Sequence, residues 1–151
     1  MNIESKIVNK YKLLKEKHQK EIEEFPMFFA FNQQQFNEGM LSVGLNPDDT
    51  AAIYKIGRTG GYFRKSDSKR FEDMMRRHGD ERQKSIDGDT TGDGYIFDMF
   101  FYELCNHEYG YSGELSDTLD ALGLSIDEIN ASPKLKYALN KAKIDVRRIQ
   151  N

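Results

Sequence analysis

The chain has 151 residues, 38% of them hydrophobic, 12% aromatic and 31% charged, with a formal net charge of −3. That length and aromatic content fit one folded domain rather than a disordered chain, and the mildly acidic balance argues against a sole role in coating nucleic acid. No apolar run reaches the ~18 residues of a membrane span, the lysine-rich start lacks the apolar segment of a signal peptide, and the single Cys105 forms no internal disulfide, so a reducing cytoplasm is the expected setting.

Residues 1–25 read as an N-terminal helix. Ile3, Ile7, Tyr11, Leu14, His18, Ile22 and Phe25 recur at nearly 3.6 residues and make one apolar stripe, with lysines over much of the remaining surface. Pro26 ends it. Residues 27–31, Met-Phe-Phe-Ala-Phe, are too short for a helix and dense enough to predict a buried strand. Asn32 then caps a second helix running to about Val43, with Phe36, Met40 and Val43 inward and Gly44 as a left-handed stop.

Residues 52–56 and 61–64 read as two strands joined across a glycine-rich hairpin turn at residues 57–61. The glycines offer backbone amides to a phosphate but match neither the P-loop nor the dinucleotide fingerprint. Ser66 or Asp67 caps a third helix that carries Phe71, Met74, Met75 and His78 and is expected to stop at Gly79. Arg58, Arg64, Lys65, Lys69, Arg70, Arg76 and Arg77 make this middle third locally basic, interrupted by Glu72 and Asp73. Such a face suits a nucleic-acid backbone or an acidic protein surface.

Residues 80–93 read as a polar loop. Its aspartates and glycines suggest a calcium loop, but neither register supplies both the apolar plug and the twelfth-position acid. The alternative is an acidic cap on the next helix. That helix begins at Tyr95 and is the most aromatic stretch of the chain, expected to pack on the sheet. Its apolar arc of Ile96, Phe97, Phe100, Phe101 and Leu104 also contains Glu103, His107 and Glu108. A carboxylate and an imidazole four residues apart can touch, and burial makes them pair. This predicts a buried polar cluster, read either as a structural network or as a site for acid–base or metal chemistry.

Gly110 and Gly113 mark a turn, and Leu115, Leu119 and Leu122 form the inner face of a short helix stopped by Gly123. Ser125 and Glu128 make a capping box. Ser132 and Pro133 open the C-terminal helix of residues 133–150, with Leu135, Leu139, Ala142, Val146 and Ile149 as its stripe.

Three blocks carry a family resemblance: Phe28-Phe29-Ala30-Phe31-Asn32-Gln33-Gln34-Gln35-Phe36, then Ile56-Gly57-Arg58-Thr59-Gly60-Gly61-Tyr62-Phe63-Arg64-Lys65, then Glu103-Leu104-Cys105-Asn106-His107-Glu108-Tyr109-Gly110-Tyr111-Ser112-Gly113. In that order they resemble a family of small phage and mobile-element proteins of unassigned function. The resemblance covers roughly residues 25–123, and the third block is its most specific part. It implies Glu103, Asn106, His107, Glu108 and the Gly60-Gly61 turn as shared positions. It brings no reaction, only a setting in which small accessory proteins often inhibit host machinery, including defence nucleases.

The expected fold is a single, mostly helical α+β domain with a small antiparallel sheet. The expected function is that of a phage-type accessory binding protein, an anti-CRISPR-like inhibitor of a host enzyme or defence complex, in the host cytoplasm. Its expected partner is a host protein or protein–nucleic-acid complex, met through Arg58, Tyr62, Arg64, Lys69, Arg70, Arg76 and Arg77. No cofactor, metal or membrane is expected. The alternatives are a nucleic-acid-binding regulator and a small metal-assisted or acid–base enzyme centred on Glu103 and His107.

Overall fold

The apolar stripe of the N-terminal sequence lies on a helix, α1, spanning Lys10–Glu24, in a computed structural model that describes residues 8–150. Asn9 starts it by accepting the Lys12 N–H on its side-chain oxygen at 2.8 Å. Tyr11, His18 and Phe25 are buried, with Leu14 and Ile22 half-buried between them. Ile3 and Ile7 lie outside the described residues.

Strand β1 is shorter than expected, Met27–Phe29, and only every second residue of the Phe-rich run is inside. Phe28 and Ala30 are buried, whereas Phe29 is 54% and Phe31 77% exposed. Alternation along the strand sends Phe29 outward, and Phe31 faces solvent at the bend that follows it. Helix α2, Gln33–Ser42, is capped as the sequence implies: Asn32 accepts the Gln35 N–H, and Gly44 comes after it at φ +82°. Within α2, Gly39 lets the helix lie directly on β1, because a Cβ there would sit 2.0 Å from the Phe28 ring.

Strands β2, Ile53–Ile56, and β3, Gly61–Arg64, form the hairpin, and the sheet order is β1-β3-β2, all antiparallel. The register sets Phe28, Tyr62 and Lys55 side by side in one row. That face carries α2 through Phe36, Met40 and Val43. Phe63 and Met27, on the opposite face, meet Phe25, Phe71, Met74 and Met75.

The third helix, α3, spans Ser68–Gly88 after a 3-10 turn at Lys65–Asp67. It passes through Gly79, correcting both the expected stop there and the polar loop over residues 80–93. A glycine in a helix interior costs only about 1 kcal/mol. The residues beyond it are good helix formers without proline, and Ile86 among them packs into an apolar cluster. The loop proper is residues 89–94.

Helix α4, Tyr95–Asn106, is succeeded by the one-turn α5, Tyr109–Ser112, then α6, Ser116–Leu122, α7, Ile126–Asn130, and α8, Pro133–Gln150. The Ser125–Glu128 capping box is present on α7. On α8 the buried stripe is Ala138, Leu139, Ala142 and Val146, while Ile149 is 66% exposed.

The chain is a single α+β domain, mostly helical with a small antiparallel sheet. Its contacts divide it into two compact units: residues up to Lys17 with those from Glu81 onward, and His18–Asp80. In the first, α4 packs on α8, α6 and α5, with Tyr11 and Leu14 of α1 in the same cluster. The sheet belongs to the second unit, where α2 covers one face and Phe25 with α3 residues the other. α4, expected to rest on the sheet, has its packing partners among the helices of its own unit. No helix among the described residues is long and apolar enough to cross a membrane.

Candidate functional site

Glu103 projects from the inner face of α4, as its place in the apolar arc requires, and only 2% of it is exposed. Its Oε2 accepts the Tyr11 hydroxyl at 3.2 Å and lies 3.7 Å from Lys15 Nζ. Lys15 also sits over the Tyr11 and Tyr102 rings. Glu103 Oε1 has no hydrogen-bond partner among the described residues. Thr118 on α6 donates its hydroxyl to the Glu103 carbonyl at 3.3 Å. Burial, then the adjacent carboxylate, pushes the Tyr11 hydroxyl far above its ordinary pKa, and burial pushes Tyr95 up to about 12.

The predicted Glu103–His107 side-chain pair does not form. His107 is the residue that closes α4, with non-helical backbone angles, so the four-residue helical spacing no longer aims its ring at Glu103. Its N–H still bonds the Glu103 carbonyl at 3.0 Å, the residue is half-buried, and its buried Nε2 is without a partner among the described residues. Glu108 leaves the cluster altogether. It is exposed and sits at φ +56°, left-handed, because the chain turns there from α4 into α5. Cys105 is half-buried, and burial raises its thiol pKa, which disfavours the reactive thiolate. No three acidic, His or Cys residues converge into a metal cluster among the described residues.

The loop before α4 is organised by Asp89. Its carboxylate accepts N–H groups of Gly92 at 2.9 Å and of Gly94 and Ile96 at 3.0 Å. Asp93 accepts from Tyr137 at 2.9 Å and Lys141 at 2.8 Å, both on α8. The acids that suggested a calcium loop therefore cap α4 and anchor the loop to α8.

The basic residues of the middle third are mostly engaged. Buried Asp67 holds Arg64 at 2.8 Å and Arg70 at 3.1 Å. Arg64 also donates to the Val43 carbonyl, and Arg70 lies over the Phe25 ring. Asp73 takes Lys69 at 3.4 Å and Arg76 at 3.2 Å. Glu21 takes Arg77 and the His78 ring, and the Arg77 bond first, then His78, brings the Glu21 pKa down to about 2. His78 in turn stacks on His18 at 3.9 Å.

Arg58 differs. It is exposed at the β2–β3 turn, and neither it nor Lys55 meets a carboxylate among the described residues. Both border an open cleft of about 510 Å³ whose walls include Phe31, Asn32, Gln33 and Tyr62 and contain no acid. Tyr62 is held between Phe28, stacked at 5.2 Å, and Phe36, edge-on at 5.2 Å. The Phe31 ring lies against Gly60, where a Cβ would come within 2.4 Å of it and where φ is +80°. Backbone bonds fix that contact: Ala30 N–H donates to the Gly60 carbonyl at 2.9 Å, and Phe31 N–H to Gln35 Oε1 at 2.8 Å.

The structure thus groups Arg58 and Tyr62 of the expected site with Phe31 and Lys55, which sequence reasoning missed. Phe31 lies at the bend after β1, where the chain leaves the strand and its ring meets Gly60, and the hairpin register pairs Lys55 with Tyr62. No curated protein and no solved structure matches the chain. A family model does match, over residues 10–145, and the chain belongs to that family, one of unknown function (DUF7659).

Proposed function

We propose that the chain is a binding protein whose working surface is the cleft face bearing Phe31, Lys55, Arg58 and Tyr62, and that Glu103 and His107 serve the fold. The observation that carries this reading is the contrast in charge engagement. Arg64, Lys69, Arg70, Arg76 and Arg77 each have an acidic neighbour, whereas Arg58 and Lys55 border an acid-free cleft beside an exposed ring. Arginine and aromatic side chains supply most interface hot spots, because they bring contact area and bidentate pairing together.

The setting proposed for it is that of a phage or mobile-element accessory factor acting in the host cytoplasm, as the three-block resemblance implies. Its partner there is a host enzyme or nucleic-acid-loaded defence complex, inhibited by occupation of a surface, in the manner of an anti-CRISPR protein. Affinity capture from a bacterial host lysate tests the reading. The wild-type chain should retain a stoichiometric partner that Arg58→Glu and Phe31→Ala lose while still folded, and that His107→Gln keeps. Arg64 and Arg70 make poor probes, since reversing either sets a second carboxylate against buried Asp67. Capture indifferent to Arg58 and Phe31 but lost in a folded His107→Gln protein overturns the reading.

A further inference from the structure

We infer that the cleft beside the β2–β3 turn binds single-stranded nucleic acid, one base lying on the Phe31 ring and adjacent phosphates meeting Arg58 and Lys55. The inference rests on this face being the working surface and names the chemistry that the face recognises. Three observations carry it.

The first is the ring. Phe31 is 77% exposed, yet its position is fixed, with Gly60 beneath it and backbone hydrogen bonds on its own N–H and that of Ala30. A flat apolar ring held open to solvent is a stacking shelf, and any base offers a face to it. The second is charge. Lys55 and Arg58 are the charged residues of the cleft, both cationic and without a carboxylate partner among the described residues. In a chain of net charge −3 this is a local anion site, and its attraction is salt-sensitive.

The third is openness. The cleft does not enclose its occupant, so a strand can continue from it at both ends, whereas a free mononucleotide would leave much of its surface in water. A duplex hides its base faces in the stack and has none to lay on Phe31. The amide side chains of Asn32 and Gln33 and the Tyr62 ring complete the walls and suit the edges and sugar of an unpaired nucleotide.

The chain contains no tryptophan, so Phe31→Trp introduces a single indole reporter on the shelf. Titrating this variant with oligothymidylate and oligouridylate of about a dozen nucleotides at low salt should quench its emission. Fluorescein-labelled strands should show matching anisotropy with the wild-type chain, at dissociation constants within roughly the micromolar to 0.1 mM range of non-specific binders. Phe31→Ala should weaken binding about tenfold. Arg58→Glu should do at least the same and flatten the salt dependence, and Arg76→Glu should leave binding unchanged.

Absence of quenching and anisotropy change over that range overturns the inference. So does equal binding of a duplex of the same sequence, equal competition by thymidine monophosphate, or equal quenching by an acidic peptide. Loss of strand binding with Arg58-dependent capture of a host protein intact would overturn this inference alone. Strand binding with no host protein captured would support it and sink the inhibitor reading instead.

Discussion

Replacing Asp89 should destabilise the helical unit more than any other single change in the loop before α4. Its carboxylate accepts three backbone N–H groups, those of Gly92, Gly94 and Ile96. Losing an ordinary N-cap that satisfies one N–H costs ~0.5–2 kcal/mol, and hydrogen bonds to a charged group contribute ~1.5–3 kcal/mol each. The three share one carboxylate and some of the freed amides reach water, so Asp89→Ala should cost about 2–3 kcal/mol. Asp89→Asn, which keeps one acceptor oxygen, should cost roughly half of that.

The pH dependence has a definite sign. Partial burial raises the Asp89 pKa, but the N–H groups of Ile96, Gly92 and Gly94 together outweigh it and hold the carboxyl below its usual range. A carboxylate lowered in the folded state stabilises above its unfolded pKa of ~3.9 and loses that contribution as pH falls through the folded value. Urea unfolding tracked by far-UV circular dichroism at pH 7 and near pH 3 measures both effects. The gap between wild type and Asp89→Ala should be widest at pH 7 and narrow at the acidic end. A gap below about 0.5 kcal/mol at pH 7, the size of an ordinary surface change, refutes the capping argument.

Calcium or EDTA should leave the thermal midpoint unchanged, because Asp89 and Asp93 already hold protein donors; a rise of several degrees with calcium would contradict this. Tyr11→Phe should cost about 1–3 kcal/mol in denaturant titration, since it leaves the buried Glu103 carboxylate with only Lys15 as a polar partner among the described residues; a neutral result would show the carboxylate satisfied by other means. Glu108→Gly should raise stability by about 0.5–1 kcal/mol, the left-handed strain relieved less the entropy glycine adds to the unfolded chain. A lowered midpoint in that variant would mean its side chain holds a partner.

Local rules carry most of what is legible in the sequence. The Asn32 cap, the Gly44 stop, the Ser125–Glu128 box and the Pro133 start each depend on a few neighbouring residues, and each is present. Gly79 fails as a stop because its modest local cost is outweighed by the helix-forming residues after it. The basic face is legible only in part. Arg64 and Arg70 flank Asp67 at three-residue spacing, as Arg76 does Asp73, so these engagements are readable along the chain, whereas Glu21 reaches Arg77 from 56 residues away. The inward place of Glu103 is readable from its helical arc, but its partner Tyr11 lies 92 positions earlier, beyond any periodicity argument. Phe31 is misplaced by apolar density, which hides the end of β1 at Phe29 and the bend that turns the ring outward.

The separation between Tyr11 and Glu103 also bears on synthesis. The helical unit is made from both ends of the chain, while the sheet unit is one continuous stretch, His18–Asp80. At ~5–20 residues per second, the 92 residues between Tyr11 and its acceptor take roughly 5–20 s to emerge. Throughout that interval the apolar face of the first turns of α1 waits beside the ribosome without its core. The sheet, complete earlier, is the natural first structure. Its strands also pair over shorter separations than Tyr11 and Glu103, which favours the same order when a complete chain refolds. Pulsed hydrogen exchange should find β2 and β3 amides protected before those of Leu13 and Leu14, and simultaneous protection would deny the sheet its lead.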